Sequence, residues 1–245
     1  MKTKTYDYII SLGENCFMAL LLKEMNLRKA SFPFDWSRGI RTDLCGITGF
    51  QGKINMILQG FNDCFEYADL QEFHRDKSHP FLFMVNIRTG LQYVHDFPRD
   101  VSIKDFFPVY KERYVRRSAR LNECCRSKKI LFCFVAQTQK LPLSLVRKAK
   151  EDLRRYFNNP FIDFMIFNPN SDLEPSDYTY TFEDGMYAFE INNDYFPPGY
   201  KGESGNIPIM KQIIDHFLNR KFFWGSYFKC QLLRFLPFLK KNIWN

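Results

Sequence analysis

Apolar residues recur along this chain in two rhythms. Short continuous runs, YDYIISL (6–12), KKILFCFVAQ (128–137) and FIDFMIFN (161–168), have the β-branched and aromatic character of strands buried on both faces. Between them apolar positions repeat at helical spacing in FMALLLKEMNL (17–27), through residues 103–126, around Leu143 to Phe157, and near 206–219. Two segments pair strand patterns across a turn. FLFMVNIRTGLQYVHDF (81–97) turns at Arg88-Thr89-Gly90, where Gly90 can supply a positive φ, and YTYTFEDGMYAFEIN (178–192) turns at Asp-Gly. Residues 31–50, punctuated by Pro33, Gly39, Gly46 and Gly49, read as an ordered loop or a short irregular element. Buried strands alternating with helices predict an α/β fold: a central parallel or mixed sheet with helices on both faces, plus β-hairpins, a three-layer sandwich.

Composition sets the scale of that core. With 245 residues, 45% hydrophobic and 18% aromatic, the chain can bury one large core. One domain over residues 1–220 is expected, followed by a basic aromatic segment at 221–245. From Phe217 to the end there are six basic residues, nine aromatics and no acid, a pattern that fits either packing on the domain or docking on a membrane surface. The net charge of +8 favours anionic partners, whether phosphate, glycan, nucleic acid or membrane. No helix-turn-helix, zinc-finger or RNP motif accompanies it, so nucleic acid ranks last among these. The start, MKTKTYDYII, lacks a secretory apolar core, and no run reaches the roughly 20 apolar residues of a membrane span. A cytoplasmic chain with reduced thiols is expected, peripheral at the inner membrane face if the tail docks there. Its seven cysteines contain no CxxC pair and no histidine cluster at ligand spacing, so neither a metal nor another cofactor is called for.

The stretch SLGENCFMALLLKE (11–24) places Cys16 where a strand gives way to a helix, with Asn15 as N-cap. A cysteine in a first helical turn meets exposed N–H groups and the positive end of the helix dipole, which favour thiolate. The N–H groups near Asn15 to Phe17 would also hold an oxyanion formed by attack on a carbonyl. The plainer reading is a buried cysteine. A thiolate needs a base, and of His74, His79, His95 and His216, His95 is the best placed, in a strand rather than a charged loop. Asp96 is adjacent, but neighbours in a strand face opposite sides. Asn86, on the partner strand, shares the face of His95 only with a two-residue turn, so its role stays open. Asp35, among the aromatics of FPFDW, would be buried and need a partner; an imidazolium or loop N–H groups would serve. In the helix over 103–126, Arg113, Arg116, Arg117 and Arg120 form a stripe from which Arg116 and Arg117 could hold a carboxylate or phosphate.

Several separated motifs then converge. SLGENC, Leu27-Arg28, PFDW (33–36), HDF (95–97) and YVRRSARL (114–121), followed by ILFCFV, together resemble the bacterial DUF1796 family, described as papain-like cysteine peptidases. The resemblance implies a Cys-His pair at Cys16 and His95. It also draws in Asp35, Trp36, Asp96, Arg116 and Arg117 as motif positions, and implies a setting in surface polysaccharide assembly, with an anionic or glycan-linked substrate. A papain-type enzyme places its cysteine helix against a mainly antiparallel domain, whereas the pattern here resembles the first block of SGNH-type esterases, with cysteine in place of serine.

Two functions follow as expectations. One is a cysteine-dependent acyl hydrolase or transferase using Cys16, His95 and Asp35. The other is a non-catalytic scaffold of a polysaccharide-assembly system.

Overall fold

The computed structural model describes residues 5–13, 16–38, 49–74, 78–136, 139–192 and 207–218. In chain order the strands are β1 (Tyr8–Ser11), β2 (Ser37–Arg38), β3 (Leu70–His74), β4 (Phe81–Asn86), β5 (Gln92–Pro98), β6 (Ile130–Val135), β7 (Ile162–Pro169), β8 (Tyr178–Glu183) and β9 (Met186–Ile191). The α-helices are α1 (Phe17–Glu24), α2 (Gly49–Leu58), α3 (Ile103–Ser127), α4 (Leu143–Phe157) and α5 (Ile207–Leu218).

The predicted central sheet is present and mostly parallel. Five strands stand in the order β1-β6-β7-β9-β8, parallel except for β8, which returns against β9 at the edge. Its two faces divide the apolar residues by alternation. Ile10, Ile130, Phe132, Phe134, Phe164 and Ile166 face one core with α2, α3 and α4. Ile9, Leu131, Cys133, Val135, Met165 and Phe167 face the other with α1 and α5. Helices therefore cover both faces, as the strand–helix alternation predicts.

A second, antiparallel sheet, β2-β5-β4-β3, joins the first core. Its inner side is aromatic: Tyr93 stacks edge-on to Tyr110 and Tyr114 of α3, each at 5.2 Å, and Phe97 lies 4.7 Å from Tyr110. The short strand β2, the helix α2 and the strand β3 lie outside the elements that the sequence pattern predicts. The stretch 31–50, read as irregular, runs at its end into α2, whose flanking glycines masked the periodicity of Phe50, Ile54 and Ile57. The polar strand β3 covers the edge of β4.

The first helix is shorter than its apolar pattern. It stops at Glu24 because Asn26 takes a left-handed conformation (φ 57°), and Leu27 N–H returns to Leu22 O at 2.8 Å, a helix-ending turn that aims Arg28 inward. Among the described residues no helix is long and apolar enough to cross a membrane. Asn15 and the segment 221–245 lie outside the described residues.

Candidate active site

The turn carrying Cys16 sits at the carboxyl edge of the parallel sheet, where open α/β folds place their ligands. Each backbone group of the last two described residues before it is engaged. Leu12 N–H donates to Cys133 O at 2.8 Å, Gly13 N–H donates to Ser11 Oγ at 3.2 Å, and both carbonyls accept from Lys53 Nζ, that of Leu12 at 3.1 Å. Lys53 is fully buried, and Phe34 presents its ring 5.6 Å from the Nζ. Cys16 follows as the residue capping α1, with helical dihedrals (φ −67°, ψ −9°) and its carbonyl accepting from Leu20 N–H at 2.9 Å. Its side chain makes no capping bond, and no acid stands in the first turn of the helix. The leading N–H groups of α1 have no partner within the helix, which makes this end electropositive.

Among the described cysteines Cys16 stands apart, half-buried where Cys64, Cys124, Cys125 and Cys133 are buried. Burial pushes the thiol of Cys64 up to about 11 and raises those of Cys124, Cys125 and Cys133, so all four stay protonated at neutral pH.

His95 lies in β5 at a bulge. Met84 pairs with Tyr93 and Leu82 with Phe97, so three residues of β5 oppose Phe83 alone. The bulge turns His95 outward, exposed, with its ring 6.1 Å from those of His79 and Phe81. Asp96 points the other way, buried, accepting from Arg113 at 2.9 Å and from Tyr114 OH at 2.7 Å. Opposite faces were expected for this pair. Cys16 heads the helix that follows β1 of the parallel sheet, whereas His95 lies in β5 of the antiparallel sheet.

Asp35 does not orient His95. Its carboxylate accepts from Arg28 Nε at 3.0 Å and Phe32 N–H at 2.9 Å, with Arg28 Nη2 2.8 Å away. Loop residues thus supply the partners, not an imidazolium. Burial nevertheless pushes the Asp35 carboxyl up, against the pull of Arg28, the Phe32 N–H and Arg117. Trp36 lies beneath the same arginine, 5.3 Å from its guanidinium. Asn86 is likewise occupied, donating to Cys64 O at 3.0 Å and accepting from Thr89 N–H at 2.9 Å, which ties down the β4–β5 turn. Of the other histidines whose side chains are described, His79 Nδ1 accepts from Phe81 N–H at 3.2 Å, and burial lowers the pKa of His216 on α5.

The arginine stripe of α3 mainly joins elements. Arg113 holds Asp96, Arg120 donates to Ser31 O at 2.8 Å, and Arg117 lies 5.2 Å over Tyr114 with its Nη1 buried and without a hydrogen-bond partner among the described residues. Arg116 instead faces solvent and reaches Glu112 at 3.4 Å. The two arginines therefore diverge rather than form one clamp. Lys53 was not singled out by sequence reasoning, although it shares the apolar face of Phe50, Ile54 and Ile57, spaced i+3, i+4 and i+7 from Phe50, which marks it as inward-facing. Among the described residues no group of three His, Cys, Asp or Glu could hold a metal ion.

A family model described as "Putative papain-like cysteine peptidase (DUF1796)" matches residues 7–138, just over half of the chain, including both Cys16 and His95. The chain is 28% identical over 186 residues to Uncharacterized protein R408 of Acanthamoeba polyphaga mimivirus, covering 66% of this chain and 78% of that one. That relative is viral, so the match does not carry the bacterial setting implied by the motif resemblance. No solved structure matches the chain significantly.

Proposed function

The chain belongs to the DUF1796 family, and from that membership and the placement of Cys16 we propose a cysteine-dependent acyl hydrolase or acyltransferase with Cys16 as nucleophile. One observation carries the reading: Cys16 is the described cysteine that is not buried, and it heads a helix at the carboxyl edge of the parallel sheet. The thiolate attacks a carbonyl carbon, forming a C–S bond while the carbonyl electron pair moves to oxygen, near the N-terminal amides of α1. Collapse expels an amine or alcohol, protonated by the base's conjugate acid. Water or an acceptor hydroxyl then attacks the thioester and restores the thiol.

His95 is assigned as the base on its family motif and its exposure. The substrate class proposed is an anionic or glycan-linked acyl compound, in keeping with the positive charge of the chain.

The test is the pH dependence of Cys16 alkylation by iodoacetamide, read by peptide mass spectrometry in wild type, His95→Ala and His79→Ala. The proposal expects Cys16 to label fastest, with an apparent pKa well below about 8.5, and this value to rise in His95→Ala alone. Labelling only on unfolding sinks the catalytic reading. A shift in His79→Ala instead moves the base to His79.

His95 lies in the antiparallel sheet while the strand leading to Cys16 lies in the parallel one, which supports a second reading, a non-catalytic scaffold in polysaccharide assembly, docking through 221–245 on a membrane surface. Co-sedimentation of the full chain, but not of one ending at residue 220, with anionic vesicles and an ordinary Cys16 pKa would favour it.

A further inference from the structure

We propose that Lys53 is a positioning residue for Cys16; this rests on the catalytic reading above. Lysine is among the residues least often buried outright, because its amine must keep strong hydrogen-bond partners. Lys53 is fully buried, and its described partners are the carbonyls of Leu12 and Gly13 at the end of β1, with Phe34 along its flank. Those carbonyls lie past the last parallel pairing of β1, at Ser11 with Cys133, and as buried acceptors they need a donor. By gathering both, Lys53 fixes the two peptide planes that lead into the turn, while Cys133 O and Ser11 Oγ hold the corresponding N–H groups.

Two consequences follow. The end of β1, at Leu12 and Gly13, is held at both its N–H groups and its carbonyls, which fixes the point from which the chain sets out toward Cys16 at the head of α1. And α2, the element that supplies Lys53, is coupled to the nucleophile without touching a substrate. Phe34 extends that coupling to the loop holding Asp35, Arg28 and Trp36.

Lys53 brings a positive charge to this turn. α1 contributes no acid in its first turn, β6 contributes Cys133 with its thiol held neutral by burial, and the 32–36 loop contributes the apolar Phe34. Glu14, an acid within the turn by sequence, lies outside the described residues.

The experiment compares wild type, Lys53→Met and Lys53→Gln in the full chain. Native-state iodoacetamide labelling of Cys16 is followed across pH, alongside thermal unfolding and labelling of buried Cys64 and Cys133. Methionine keeps the length of the side chain and removes the donor; glutamine keeps a donor and carries no charge. The expected result is a Cys16 labelling rate at least tenfold lower in Lys53→Met, with its apparent pKa raised, while Cys64 and Cys133 remain protected. Lys53→Gln should recover part of the rate. Should Lys53→Met fail to fold, Lys53→Gln carries the test alone, with a rate between tenfold down and wild type. A folded variant whose Cys16 rate and pH profile match wild type overturns the role of Lys53. An ordinary Cys16 pKa in wild type overturns the catalytic reading instead, so the two failures are distinguishable.

Discussion

Asp35 and Arg28 form a buried pair whose two halves are not equally dispensable. The Asp35 side chain is 2% exposed and that of Arg28 11%. Arg28 keeps other partners, Ser31 Oγ at 2.7 Å and the Trp36 ring, whereas among the described residues Asp35 has Arg28 and the Phe32 N–H within bonding distance. Removing Arg28 therefore strands a carboxylate already pushed above its ordinary range by burial, and Arg28→Met should cost about 3–5 kcal/mol at neutral pH. Asp35→Asn, which retains an acceptor for Phe32, should cost less than about 1.5 kcal/mol. The sign of the pH dependence follows from the raised native pKa. Such a group contributes most favourably below the unfolded value near 4, and loses that contribution as pH rises through its native value. Urea unfolding at pH 5 and pH 8 should show the Arg28→Met deficit growing with pH; an equal deficit at both would mean that Asp35 is not the cause. At this scale the sequence made legible the place of Cys16 at a helix start, the opposite facing of His95 and Asp96, and the burial of Asp35, because helix-start position, strand alternation and aromatic surroundings are local. The partner of Asp35 was not legible, since a chain turn at Asn26 decides where Arg28 points. Lys53 was overlooked because a lysine reads as solvated unless its helix is recognised first.

The hairpin of β8 and β9 shows how a turn is tied to packing. Glu183 pairs with Met186, leaving a two-residue loop in which Asp184 and Gly185 have φ of 38° and 78°. The Asp-Gly signal in the sequence was therefore sufficient for this element. What it could not reveal is the neighbour: a Cβ on Gly185 would lie 2.0 Å from Asp163 Oδ1. Asp163 cannot easily withdraw, being held by Arg154 at 2.9 Å and by Tyr6 OH at 2.7 Å. Gly60, at φ 65°, would place its Cβ at an ordinary 3.4 Å from the Tyr156 hydroxyl. Gly60→Ala should thus lose only the backbone term of about 1–2 kcal/mol. Gly185→Ala should lose a further 1–3 kcal/mol or so for the overlap, and equal urea midpoints for the two variants would show that Asp163 yields. The same logic separates legible from illegible elements. Buried strands and the helices α3 and α4 announced themselves by unbroken periodicity. The strand β3, LQEFH, owes its place to pairing with β4 and shows no apolar alternation, its Leu70 and Phe73 being three apart, and the bulge in β5 breaks the alternation by which a face is read.

Across the whole molecule, the two cores share one wall. Within β6, Ile130, Phe132 and Phe134 enter the core with α2, α3 and α4, while Leu131, Cys133 and Val135 enter the core with α1 and α5. β7 divides its residues in the same way. Neither core can lose its side of the sheet without disordering strands that form the floor of the other, so both faces should open in one cooperative step. Two buried thiols report on this directly. Cys125 on α3 belongs to the first core and Cys133 on β6 to the second, and burial holds both well above the ordinary thiol range. Neither should react until its core opens. Alkylation of each by peptide mass spectrometry across a urea series should give coincident midpoints and slopes, with Cys16 labelling already in the folded state. Cys133 reacting at lower urea than Cys125 would instead mean that α1 and α5 peel from an intact sheet. In that case the helix that Cys16 heads would be the less stable layer, and the chemistry at its N-terminus would depend on a local equilibrium rather than on the stability of the whole fold.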